Sequence, residues 1–265
     1  AVRGFGGIRT VNEIDQGMFD FGYGDPLAVI LNRSNGGRTR VVGALNQDWP
    51  AALCYVQGRH DLSTPEDLRS LTVGGGRNSP MQTLVPVWLS ANGVEPTEVS
   101  LMQLDPSVVV ASLLEGTIDA GECWRGNSIP LFRKRAAEAG LAIETLEYRD
   151  FGLDIYGNGI VASESLIESE PETIRAFLGA TYEGYARALS DPEAATDIML
   201  ARFPVLDPAV TRAQIDALAG LLGEPGTLGR LTEEKVARTL SLVADAYDVD
   251  ARITPADLYT TEYLP

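Results

Sequence analysis

Apolar positions in residues 62–148 come in two alternating patterns: short continuous runs, and longer stretches spaced for one helical face. The alternation predicts strand and helix in turn. Ser63-Thr64-Pro65-Glu66 carries a hydroxyl cap, a first-turn proline and a carboxylate, which together start a helix. Leu71-Thr72-Val73 predicts a short buried strand that runs into a turn at Gly74-Gly75-Gly76. Ser79-Pro80 opens a helix stopped by Asn92-Gly93, and 99–104 is a strand. Asp105-Pro106 caps the next helix, which ends at Gly116; 118–122 is a strand, 129–139 a helix closed by Gly140, and 142–146 a strand. Strand and helix joined by short connections predict an α/β protein with a parallel sheet covered on both faces.

The first part of the chain follows the same rhythm. Helices are expected at 8–16 and 26–33, and strands at 19–23, 40–45 and 51–57. Ile14-x-x-Gly17-x-x-Asp20-x-Gly22 is repeated as Leu113-x-x-Gly116-x-x-Asp119-x-Gly121. Each copy predicts a helix ended by a left-handed glycine, then a strand closing on Asp-x-Gly. Two copies imply two α/β lobes that offer strand ends to a shared cleft, because ligands of open α/β sheets sit beyond the strands' carboxyl ends. After a last apolar strand at 159–162 the chain is helical. Ile174, Phe177, Leu178, Tyr182, Tyr185 and Leu189 fall on one helical face, and Asp191-Pro192, Asp207-Pro208 and Thr232 begin further helices. The expected division is 1–58 and 157–265 for the first lobe and 59–156 for the second, with the late helices packing on the first.

Charge narrows the partners. The chain of 265 residues carries a net charge of −16, with Lys134 and Lys235 as its lysines, which argues against nucleic acid or an anionic membrane surface. No apolar run approaches the ~18 residues of a membrane span, and no signal segment opens the sequence. Cys54 and Cys123 fit neither a disulfide framework nor a CxxC metal site, so buried free thiols are expected. One histidine, His60, beside Asp61, leaves no basis for a Ser-His-Asp set or a nitrogen-rich metal site and is expected to be solvated.

Several stretches resemble the periplasmic substrate-binding proteins of ABC importers, in the family serving nitrate, alkanesulfonates, taurine and thiamine-pyrimidine precursors. They are residues 17–25 (GMFDFGYGD), 62–68 (LSTPEDL) leading into Leu71-Thr72-Val73-Gly74, 113–120 (LLEGTIDA), 156–161 (YGNGIV) before Glu170-Pro171-Glu172, and the closing Ala256-Asp257-Leu258-Tyr259. The resemblance implies a type II periplasmic-binding-protein fold, with two hinge strands and closure over one small ligand. It also implies a monomer located outside the cytoplasm, a membrane permease as partner and no cofactor. Members of that family open with a strand and helix, and the present sequence begins after them.

Candidate ligand contacts follow from the strand ends. Tyr23 and Asp25 follow the first repeat; Glu122 and Trp124 follow the second. A carboxylate there pairs with a cationic or hydrogen-bond-donating ligand, and a tryptophan offers a flat stacking face. Asp25 is equally a cap for the helix at Pro26. Asn78 and Ser79 follow the glycine run at a helix start suited to an anion or polar oxygen. Trp49 is either a ligand wall or core, Trp88 is core, and Tyr156 with Asn158 lie where the chain returns between lobes. No catalytic or metal-binding set is expected. Reversible capture of an aromatic, pyrimidine-like ligand, or of a sulfonate or carboxylate, is the leading reading. The alternatives are a pyrimidine-synthase-like enzyme of the same superfamily and the ligand-sensing domain of a regulator.

Overall fold

The computed structural model describes residues 7–76, 79, 84–223 and 227–265. The chain groups into two compact units: residues 1–49, 155–191 and 219–265 form one, and residues 50–154 and 192–218 the other.

The first unit holds α1 (Gly7–Asp15), β1 (Gly22–Gly24), α2 (Pro26–Ser34), β2 (Thr39–Ala44) and β8 (Gly159–Ser163). It also holds α6 (Glu164–Ser169), α7 (Pro171–Ser190), α10 (Glu233–Ala246) and α11 (Pro255–Leu258). Its sheet has the order β1-β8-β2, with β8 antiparallel to both neighbours. Ile174, Leu178 and Tyr182 of α7 are buried as their helical spacing predicts. The Tyr182 hydroxyl donates to the Ala44 carbonyl at 2.6 Å. Glu164 gathers three guanidinium groups, those of Arg33, Arg38 and Arg40, each at 2.8 Å.

The second unit is built on the sheet β5-β4-β6-β3-β7: β5 (Ser100–Leu104), β4 (Thr72–Gly76), β6 (Ala120–Trp124), β3 (Ala51–Val56) and β7 (Ile143–Glu147). Strands β5, β4 and β6 run parallel, and β3 is antiparallel to both β6 and β7. The sheet is therefore mixed. The strand expected at 51–57 falls in the range assigned to the first lobe but pairs in this sheet, since an apolar strand has the same pattern whichever way it runs. On one face, Ala52, Cys54, Val56 and Cys123 pack with Val109 and Leu113 of α4 (Val109–Glu115) and Ile129, Phe132 and Ala136 of α5 (Ser128–Glu138). Helices α3 (Leu84–Ala91) and α8 (Pro192–Arg202) complete the unit, and α9 (Pro208–Leu222) starts in it. Residues 192–218 thus group with the second unit, where Lys134 pairs with Asp207 and Gln214 donates to the Asn127 carbonyl at 2.8 Å.

Both repeat glycines adopt the left-handed conformation, Gly17 at φ 71° and Gly116 at φ 80°. The strands begin at Gly22 and Ala120, later than the pattern implied. A Cβ on Gly22 would lie 3.0 Å from Ile14, and one on Gly121 would lie 3.1 Å from Val109. The second glycine of each copy therefore lets the preceding helix lie close on its strand. His60 is not left to solvent: its Nε2 lies 3.0 Å from Asp119 Oδ1.

The cysteines correct another expectation. Cys54 and Cys123 form a disulfide. Register sets Ala52 opposite Cys123 and Cys54 opposite Gly121, so the two cysteines are diagonal neighbours on one face, Cα atoms 5.9 Å apart. Their separation of 69 residues carries no spacing signal.

Candidate functional site

In the second unit, β4 and β6 are parallel neighbours and bring their carboxyl ends to one edge. Glu122 lies opposite Leu53, on the sheet face away from the disulfide, because successive strand residues alternate. It is 5% exposed. The Gly76 N–H reaches Oε2 at 3.4 Å, and Ser79 hydrogen-bonds the same carboxylate. Oε1 has no partner among the described residues. Burial pushes the carboxyl up to about 7, against the opposing pull of Ser79 and Gly76. Tyr148 is fully buried close by, its phenol pushed far up by burial and then by the Glu122 charge. Trp88 meets the Tyr148 ring edge-on at 4.8 Å, and its buried indole N–H has no partner among the described residues. Trp124 is half-buried at the end of β6, held where Ser128 Oγ accepts its backbone N–H at 2.9 Å. Arg125 faces Glu147 at 3.4 Å.

The glycine run is not the expected turn. Gly74, Gly75 and Gly76 complete β4, and a Cβ on Gly74 would lie 2.6 Å from Ile118 Cδ1, so glycine serves close packing there. Ser79 remains at the edge as its backbone N–H donates to the Gly76 carbonyl at 3.0 Å. Asn78 lies outside the described residues, as does Arg77.

In the first unit, Tyr23 is 52% exposed, and its hydroxyl lies 3.4 Å from Asn46 Nδ2. Asp25 caps α2, Oδ1 accepting the Ala28 N–H at 2.9 Å. Its Oδ2 lies against Gly7, where any Cβ would collide with it. Burial raises the Asp25 carboxyl above its ordinary range despite hydrogen bonds from Ala28 and Leu27. Asp25 is therefore both cap and desolvated acid. The Tyr156 hydroxyl is buried without a partner among the described residues, raised by burial and then by the Asp25 charge. The Asn158 carbonyl accepts from the Leu45 and Asn46 amides at 2.8 and 2.9 Å. Trp49 is in the core at 2% exposure, its amide donating to the Ile155 carbonyl at 2.9 Å.

Motif reasoning misses Asn46, Tyr185 and Tyr148. Tyr185 lies near the Tyr23 hydroxyl from α7, and its placement on the buried face of that helix was the available signal.

Two α/β units that place acids and aromatics at strand ends match the fold of solved periplasmic binding proteins. The aliphatic sulphonate binding protein SsuA of Escherichia coli superposes with a TM-score of 0.75 at 18% identity, covering 95% of this chain and 79% of that one. The alkanesulfonate-binding protein SsuA of Xanthomonas axonopodis pv. citri, bound to MOPS, gives 0.71 at 16% identity over 98% and 86%. The riboflavin-binding protein RibY of Chloroflexus aurantiacus is 25% identical over 253 residues, 90% of this chain and 68% of the relative. The chain belongs to the NMT1/THI5 like family, whose model matches residues 4–195.

Proposed function

We propose that this protein binds one small organic solute reversibly outside the cytoplasm and delivers it to the permease of an ABC importer. One observation carries the reading. After the second glycine of each repeat, alternate residues supply an aromatic ring and an acid: Tyr23 and Asp25 in one unit, Glu122 and Trp124 in the other. Both acids are desolvated, which is the condition for strong pairing with a ligand's donors. Ser79 adds a polar group at Glu122, and Asn46 and Tyr185 add theirs at Tyr23.

Family membership and the names of the relatives support solute binding. The disulfide supports an oxidising compartment, since such bonds are rare in reducing cytoplasm. Among the described residues, no helix is long and apolar enough to cross a membrane.

Titration calorimetry with riboflavin, cytosine, taurine, methanesulfonate, benzoate and nitrate tests the reading. One site per chain is expected, with the bound compound recovered unaltered by chromatography. At 100 times its dissociation constant, a ligand adds about 2.7 kcal/mol of stability. Conversion of the bound compound into a product overturns the proposal in favour of an enzyme.

A further inference from the structure

The geometry points to Glu122 as the residue that sets ligand class: we propose that the second unit takes a ligand presenting an N–H donor, such as an amidine, an ammonium or a ring lactam or imide, in preference to an oxyanion. The proposal rests on the solute-binding reading above and deepens it.

The argument begins with an incomplete hydrogen-bond set. A buried carboxylate needs donors for both oxygens, because an unmet buried acceptor carries most of its desolvation cost. Gly76 and Ser79 supply donors to Glu122, and Oε1 is left without one. A water can fill that place in the empty protein, and a ligand that displaces it must reproduce the donation. An N–H group does so, and an oxyanion cannot donate at all.

Charge points the same way. Among the described residues, the groups that act on the Glu122 carboxyl or feel its charge are Ser79, the Gly76 amide and the Tyr148 phenol, and these three carry no positive charge. The guanidinium on the next turn of chain, Arg125, is engaged with Glu147. An oxyanion beside ionised Glu122 would therefore meet like charge at low dielectric with no described counter-ion. Trp124, two residues beyond Glu122 on the same side of β6, adds a flat face for a ring that carries the N–H.

The test compares the wild type with Glu122→Gln at pH 8, where a neutral Glu122 donating to an oxyanion is suppressed. The N–H probes are acetamidine, cytosine and riboflavin; the oxyanion probes are methanesulfonate, nitrate and benzoate. At least one N–H probe should raise the melting temperature of the wild type, and Glu122→Gln should bind that probe tenfold or more weakly while keeping its circular dichroism. A second readout uses wild-type protein carrying 13C-labelled glutamate carboxyls: saturation with the N–H probe should move the Glu122 titration to lower pH. Tighter binding of an oxyanion than of any N–H probe overturns the proposal. So does a Glu122→Gln affinity within twofold of wild type, or an unmoved carboxyl titration. If no probe stabilises the protein and native mass spectrometry finds no small molecule carried from the cell, the solute-binding reading itself fails.

Discussion

Glu122 makes the empty protein less stable as pH rises, and the size of that effect follows from its burial. Its carboxyl moves from an ordinary 4.5 to about 7 on folding. Between those values the folded chain holds a proton that the unfolded chain has released, so stability falls with rising pH across the window and levels off above it. A difference of that width corresponds to about 3 kcal/mol, at ~1.4 kcal/mol per pH unit. Glu122→Gln keeps the shape and removes the titration. Urea denaturation of ligand-free wild type and variant from pH 4 to pH 8.5 isolates the effect, since the other titrating groups cancel in the difference and the amide adds only a constant offset. The variant should gain about 3 kcal/mol relative to wild type between the two ends, or roughly 5–10 °C in melting temperature for a chain of this size. A difference that is constant across the pH range refutes the reasoning.

Three further perturbations probe other parts of the fold. The double substitution Cys54→Ala/Cys123→Ala should cost up to about 4 kcal/mol, the loop-entropy value for a closed ring of 69 residues, and reductant should reproduce the loss in wild type; urea midpoints insensitive to reductant would count against the bond. Tyr182→Phe removes a buried hydroxyl donating to the Ala44 carbonyl and should cost about 1 kcal/mol in denaturant melts, with no change in ligand affinity. Burial alone would raise the Glu164 carboxyl, but Arg38, Arg33 and Arg40 outweigh it and hold it below its ordinary range. The stability this supplies is present above pH 4.5 and lost as pH falls through the folded value, so the deficit of Glu164→Gln should be largest near neutral pH and shrink in acid; a deficit unchanged down to acid pH would show that the guanidinium cluster contributes nothing through ionisation.

The local punctuation of the fold was legible because it is steric. Gly17 and Gly116 take the left-handed conformation that few other residues tolerate, and proline-led starts at Pro26, Pro192 and Pro208 hold where the pattern put them. What the pattern could not carry was pairing. Leu53 and Cys54 read as strand in either direction and in either sheet, and only the register with β6 brings Cys54 within reach of Cys123. The glycine run misled for a related reason: Gly74 answers to Ile118 pressing on the strand, a tertiary contact invisible in a run of glycines. At the site, Glu122 and Asp25 were legible as acids next to strand ends. Their burial was not, because it depends on neighbours brought in from other parts of the chain, such as Tyr148 near Glu122 and Gly7 against Asp25.

Native mass spectrometry of the protein isolated from cells, followed by gentle release and identification of whatever it carries, addresses the central claim most directly. The account predicts one small molecule per chain, bearing an N–H donor, released with its mass unaltered and able to rebind. A carried oxyanion, or a released compound chemically changed from the one supplied, would contradict it.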